Sequence, residues 1–260
     1  MKNIGYNTLT AEEIKLACEP LSQDEAKAIE RKLYLRSREK KYVMKKMHSL
    51  VRYLGEFILN HSLKLYNNDL LLFASQIRSP LKSYKIFLLY HYIRKLRPKV
   101  IVEYGSGSST ALISALLELN ARDYGVDGSV ISFEQNPDFY DPMMKYFPKS
   151  LIRRVQINIS PIAYIYQDGY RQMFYKDSPR LLPKEVDFVF IDGPAPAYGM
   201  PEERSVIFSG DMLRLAKERT WHYACTDIRY FNSMYFSKVI KRCCVSEKVI
   251  LRSIQLMPIK

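Results

Sequence analysis

Two rhythms divide the chain. As far as Pro98, apolar residues recur at spacings of three and four; from Lys99 they come in short runs separated by amphipathic stretches. In the first part, Thr10-Ala11-Glu12-Glu13 and Ser22-Gln23-Asp24-Glu25 both fit the capping box, where a hydroxyl and a carboxylate satisfy each other's orphan amides. Each predicts a helix start. The first helix must end near Pro20, and the second runs through a basic segment toward Gly55. Ser79-Pro80 reads as a cap followed by proline in the first turn. The helix it predicts carries Tyr84, Phe87, Leu88, Tyr92 and Leu96 and stops before Pro98.

After Lys99 the apolar runs are Val100–Tyr104, Val130–Glu134, Val155–Ile159, Val186–Ile191 and Trp221–Thr226, with a last extended run from Lys248 to Pro258. Helices are predicted between them near 109–120, 137–147, 202–218 and 231–242. Such alternation predicts an α/β fold, a mostly parallel sheet with helices on both faces, after a helical N-terminal extension. The extension is placed at residues 1–78 and the sheet domain at 79–260. Val186–Ile191 is nearly all apolar, as suits a strand buried on both faces.

In a sheet of this kind, ligands bind beyond the carboxyl ends of the strands. Three unusual segments fall there. Glu103-Tyr104-Gly105-Ser106-Gly107-Ser108-Ser109-Thr110 combines two glycines, which permit close backbone approach, with a carboxylate at a strand end. Glu134 and Gln135 end the second run, where a carboxylate can accept both hydroxyls of a ribose. Asp192-Gly193 closes the most apolar run, where burying a carboxylate without a purpose is costly.

Together these residues resemble the class I methyltransferase family. Glu103-x-Gly105-x-Gly107 matches its first motif, Glu134 its second-strand acid, and Phe190-Ile191-Asp192-Gly193 its fourth-strand motif, over residues 80 to 258. The resemblance implies a Rossmann-like, seven-stranded sheet with one antiparallel strand. It also implies S-adenosylmethionine held by Glu103, Tyr104, Gly105, Ser106, Gly107, Ser109, Thr110, Glu134, Gln135, Asp192 and Gly193. Ser109 stands where the fuller pattern has a third glycine, and Ser160-Pro161-Ile162-Ala163 replaces an acidic adenine-contacting motif. A nicotinamide dinucleotide fits less well: the third glycine of its fingerprint is missing, and Glu103 would lie near a pyrophosphate.

Methyl transfer needs an aligned acceptor, and an oxygen acceptor must also lose a proton to a base or to a metal that acidifies it. Asp192, Asp227 and Arg204 are the candidates for that work. Asp192 and Asp227 are expected to face each other across adjacent strand ends and could share a divalent cation. Catechol-type O-methyltransferases carry Asp-Asn after the fifth strand, where this chain has Asp227-Ile228; Asp192 acting alone is the other reading. The stretch Asp192–Arg204 followed by Thr226–Tyr230 resembles, more locally, the glucuronoxylan O-methyltransferases. That likeness implies a sugar hydroxyl acceptor, with Arg204 or Arg229 gripping an acidic group.

Charge widens the choice of partner. The chain has 40 Lys+Arg against 27 Asp+Glu, a net +13. Residues 31 to 53 hold nine basic side chains and one acid, a net of +8. That segment suits a polyanion, either an anionic membrane surface or nucleic acid, or it is a solvated helix face. An RNA methyltransferase and an aminopropyl transferase-like enzyme are the alternatives on the same fold. The first lacks the Asn/Asp-Pro-Pro-Tyr motif of many amino-directed enzymes, and the second would want an acidic pocket. Cys18, Cys225, Cys243 and Cys244 show neither metal spacing nor a disulfide framework. With no signal-peptide pattern, the expected home is cytoplasmic, with attachment to the inner membrane face as the variant. The segment Tyr164–Tyr170 is read as partly buried helix or loop.

Overall fold

The computed structural model describes residues 41–167, 170–194, 206–207, 210–227, 243–248 and 253–258. A seven-stranded sheet forms its centre. Its strands are β1 (Val100–Tyr104), β2 (Ser129–Glu134), β3 (Val155–Ile159), β6 (Glu185–Ile191), β8 (Thr220–Asp227), β9 (Cys243–Lys248) and β10 (Ser253–Pro258), in the order β3-β2-β1-β6-β8-β10-β9. The pairs β3-β2, β2-β1, β1-β6 and β6-β8 are parallel, and β10 runs antiparallel to both of its neighbours. This is the mostly parallel arrangement with one reversed strand that the sequence led us to expect. Within the last extended run the strand is β10, and β9 before it is a further strand that the sequence pattern did not place.

The helices are α1 (Lys41–Phe57), which continues into a π-helical turn at Ile58–Ser62, α2 (Asn67–Gln76), α3 (Ser83–Leu96), α4 (Ser108–Tyr124), α5 (Pro137–Tyr146), α6 (Ser178–Leu181) and α7 (Asp211–Glu218). Residues 1–40, which include both capping-box starts, lie outside the described residues, as does the helix predicted at 231–242. One apolar core joins the N-terminal helices to the sheet. Val51, Leu63, Leu70, Phe73, Leu88 and Ile93 pack in the same cluster as Ile101, Leu112, Phe188 and Cys225. α4 is buried along most of its length between α3 and the sheet, and β1 and β6 are almost wholly buried.

Three predicted elements differ. The helix expected from Ser79-Pro80 begins only at Ser83, because the Ser79 hydroxyl is used elsewhere: it lies 3.3 Å from the Ser108 hydroxyl. α3 ends as expected before Pro98, with Arg97 in the left-handed conformation. Of the helix expected at 202–218, Asp211–Glu218 is helical, while Val206 and Ile207 pair in parallel with Arg171 and Gln172 as strand β7. The tyrosine-rich segment is an antiparallel hairpin, β4 (Ile162–Gln167) and β5 (Tyr170–Tyr175), that joins β7 in a second small sheet. Its alternating pattern around Asp168-Gly169 is a hairpin signal that a helical reading passed over.

Candidate functional site

Strand register assembles the site. Tyr104 pairs with Phe133 on one side and with Ile191 on the other, so Gly105, Glu134 and Asp192 emerge side by side at the carboxyl edge of the sheet. The turns are then sewn together by backbone. Asp192 N and Gly193 N both donate to the Tyr104 carbonyl, at 2.8 and 2.5 Å, while Gly105 N and Ser106 N both donate to the Phe133 carbonyl at 3.1 Å. Gly105 takes φ +99°, and a Cβ on it would lie 2.6 Å from Gly193 N. A Cβ on Gly193 would lie 2.7 Å from Gly105 Cα and 2.8 Å from the Tyr175 hydroxyl. Two glycines therefore face each other because two main chains touch, and only a residue without a side chain permits that.

Glu103 sits beneath this junction with no solvent exposure. Its carboxylate accepts hydrogen bonds from Ser109 Oγ (2.6 Å), Thr110 Oγ1 (2.6 Å) and Ser132 Oγ (2.7 Å). Ser106 Oγ lies 2.7 Å from Ser132 Oγ, and Thr110 Oγ1 accepts from Gly107 N at 2.9 Å, so the whole glycine-rich loop hangs on one carboxylate. Burial pushes Glu103 up to about 7; the three hydroxyls oppose the rise and the negative Asp192 adds to it. Ser109, the departure from a third glycine, is the residue that grips Oε1. Glu103, Ser109 and Thr110 spend their side chains inside the protein, so what the loop offers outward is backbone, with the partly exposed Gly105 and Ser106.

Glu134 is also buried. Its Oε1 accepts the amides of Gln135 and Asn136, both at 2.8 Å, while its Oε2 has no partner among the described residues. Burial raises its pKa although the two amides work the other way. Tyr104 contributes its carbonyl; its buried ring turns to the opposite face of the sheet from Glu103 and stacks with Phe133 and Tyr175 at 5.7 and 6.1 Å.

Asp192 has a partner that the sequence did not suggest. Lys85, from the first turn of α3, places Nζ 2.5 Å from Asp192 Oδ2, and the two side chains are only 12% and 20% exposed. A signal was present: Lys85 stands three, four and seven residues before the buried Leu88, Leu89 and Tyr92, so a lysine occupies the apolar stripe. Ser79 was the other omission: its hydroxyl accepts from Ser108 N at 3.5 Å and lies 3.3 Å from Ser108 Oγ at the start of α4.

Asp227 ends β8, one step beyond the Ile191–Thr226 pair, so the backbone brings it next to Asp192. Its side chain, and Arg204 as a whole, lie outside the described residues. Among the described residues, the group close enough to hold a metal ion is Glu185, Asp187 and His222, at the amino ends of β6 and β8 and so away from this edge. Asp187 Oδ2 is there occupied by the amides of Lys99 and Val100, each at 2.8 Å.

The arrangement resembles solved structures. A Podospora anserina methyltransferase, PaMTH1, in its S-adenosylhomocysteine-bound form, superimposes with a TM-score of 0.51 at 15% identity, over 74% of this chain and 88% of that one. A putative O-methyltransferase from Klebsiella pneumoniae gives 0.50 at 12% identity, over 84% of this chain and the whole of that one. The chain has the class I methyltransferase fold. No protein-family model matches the sequence, and no curated protein does. In this fold the Gly105 loop after β1, Glu134 at the end of β2 and the Asp192-Gly193 turn after β6 stand side by side at the carboxyl edge of the sheet.

Proposed function

We propose that this chain is an S-adenosylmethionine-dependent methyltransferase acting on an oxygen acceptor, a sugar, glycan or small-molecule hydroxyl. The observation that carries this reading is the backbone contact of the Gly105 and Gly193 turns, with Glu134 alongside, at the carboxyl edge of a methyltransferase-fold sheet. The residues suit that cofactor. The Gly105–Gly193 junction brings main chain, not side chain, to the carboxyl edge, and Glu134 Oε2 is an acceptor without a protein partner among the described residues. The S-adenosylhomocysteine-bound Podospora anserina methyltransferase, similar in fold, supports the same choice.

When bound, S-adenosylmethionine supplies an electrophilic methyl group. The protein's part is to align the acceptor and manage its proton. Asp192, at the end of a buried strand, takes the acceptor proton; a divalent cation, were one bound, would be held by Asp192 with Asp227 and would acidify the acceptor hydroxyl. Lys85 fixes the Asp192 carboxylate and sets a positive charge where an acceptor oxygen becomes negative. Arg204, on the local likeness to glucuronoxylan enzymes, grips an acidic group of the acceptor.

The test is methyl transfer from labelled S-adenosylmethionine to a panel of sugar, glycan and phenolic hydroxyl acceptors. Asp192→Asn keeps the shape and removes the charge, so turnover should fall by about 10²–10⁴-fold with cofactor affinity retained. Loss of parental activity on adding a chelator, restored by a divalent cation, assigns the proton step to a metal. An Asp192→Asn enzyme with near-parental turnover would remove Asp192 from the mechanism.

A further inference from the structure

We propose that the outer face of α1 docks on an anionic membrane surface. The inference is independent of the cofactor reading. Six of the ten exposed large apolar side chains among the described residues fall between positions 50 and 72: Leu50, Tyr53, Phe57, Leu65, Leu71 and Leu72. The first three stand at spacings of three and four on α1, which makes them one stripe, and they are 56%, 64% and 47% exposed. The core needs none of them, because Val51, Ile58 and Leu59 fill the inward side. An exposed apolar stripe on a helix already anchored by another face marks an interaction surface.

Charge selects the partner. Lys41, Lys45 and Lys46 lie in the same helix, as does Arg52, which is 76% exposed and ion-paired with Glu56 one turn on. These belong to the 31–53 segment of net +8. A helix that joins lysines and arginines to leucine and aromatic residues suits the headgroup boundary of a bilayer, where cations meet anionic lipid and the apolar stripe enters the acyl edge. Nucleic acid would use the cations and give Leu50, Leu65, Leu71 and Leu72 nothing to bury against. Among the described residues no helix is long and apolar enough to cross a membrane.

The experiment is cosedimentation of the full chain with vesicles. Phosphatidylcholine alone is compared with phosphatidylcholine carrying about one third phosphatidylserine, at about 0.05 and 0.5 M salt. The parent should bind the anionic vesicles at low salt, release at high salt, and ignore phosphatidylcholine. The Leu50→Gln, Tyr53→Gln, Phe57→Gln triple variant should partition at least about tenfold more weakly. Tyr53→Gln alone should show part of that loss, and unchanged thermal melting keeps the comparison valid. A single-stranded RNA oligonucleotide forms the other arm. Equal vesicle binding by parent and triple variant overturns the proposal, as does a parent that binds the RNA and leaves the anionic vesicles alone.

Discussion

Replacing Glu103 with glutamine should make the protein more stable at pH 8 and flatten its response to pH. The carboxyl is fully buried and shifted from an ordinary 4.5 up to about 7. A raised pKa means that the folded state holds its proton more tightly than the unfolded chain. Stability from this group is therefore complete below pH 4.5 and is lost as pH rises through about 7. The shift corresponds to about 3 kcal/mol at 1.36 kcal/mol per pH unit. Asp211, fully buried and also pushed up to about 7 by burial, acts in the same direction. Glu118, held down at about 2 chiefly by Arg153, with Arg154 assisting, loses its stabilisation only at lower pH; between pH 5 and 8 the first two groups act with Glu134, also raised by burial, and against His91, which burial lowers. Glutamine can keep the local bonds. Its oxygen takes the place of Oε2, where Thr110 and Ser132 both donate, and its amide donates to a Ser109 hydroxyl that rotates to accept. Urea unfolding followed by circular dichroism at pH 5 and pH 8 measures the difference. The parent should lose about 3 kcal/mol more than Glu103→Gln across that range. An identical pH dependence for the two proteins would refute the view that burial holds the Glu103 carboxyl protonated well above its ordinary range.

Two further perturbations follow from the same junction. Gly193→Ala should destabilise by about 1–3 kcal/mol and lower affinity for S-adenosylhomocysteine, because the added carbon meets the Gly105 backbone, which cannot swing aside; a parental melting temperature and affinity would count against it. Lys85→Met removes the ammonium from Asp192 and should lower the unfolding free energy by about 2 kcal/mol, with part of the loss recovered in the Lys85→Met, Asp192→Asn double variant. Strictly additive effects in that cycle would mean that the pair is not coupled.

Much of the sheet was legible because its strands are short, apolar and separated by helical stretches, a pattern set by burial on both faces. The strand-end glycines stood out for a related reason: Gly105 and Gly193 meet main chain to main chain at the carboxyl edge, where a side chain would not fit. The errors arose where one residue could serve two masters. Ser79 had the sequence of a helix cap and serves the glycine-rich loop 29 residues away instead. Glu103 had the sequence of a ligand contact, yet the hydroxyls that fold α4 around it consume its carboxylate. Lys85 was passed over because its partner is 107 residues distant, and only the packing of α3 against the strand ends brings them together. The hairpin at Ile162–Tyr175 carried a turn signal, but its aromatic content reads equally as a binding surface when the pairing partner is unknown.

The most direct test of the account is calorimetric titration of the full chain with S-adenosylhomocysteine, beside a nicotinamide dinucleotide. The account predicts saturable heat with the first and none with the second. Glu134→Ala should weaken the first by about 10–100-fold, since hydrogen bonds to a charged acceptor are each worth about 1.5–3 kcal/mol. Heat from the dinucleotide with none from S-adenosylhomocysteine, or undiminished binding by Glu134→Ala, would contradict it.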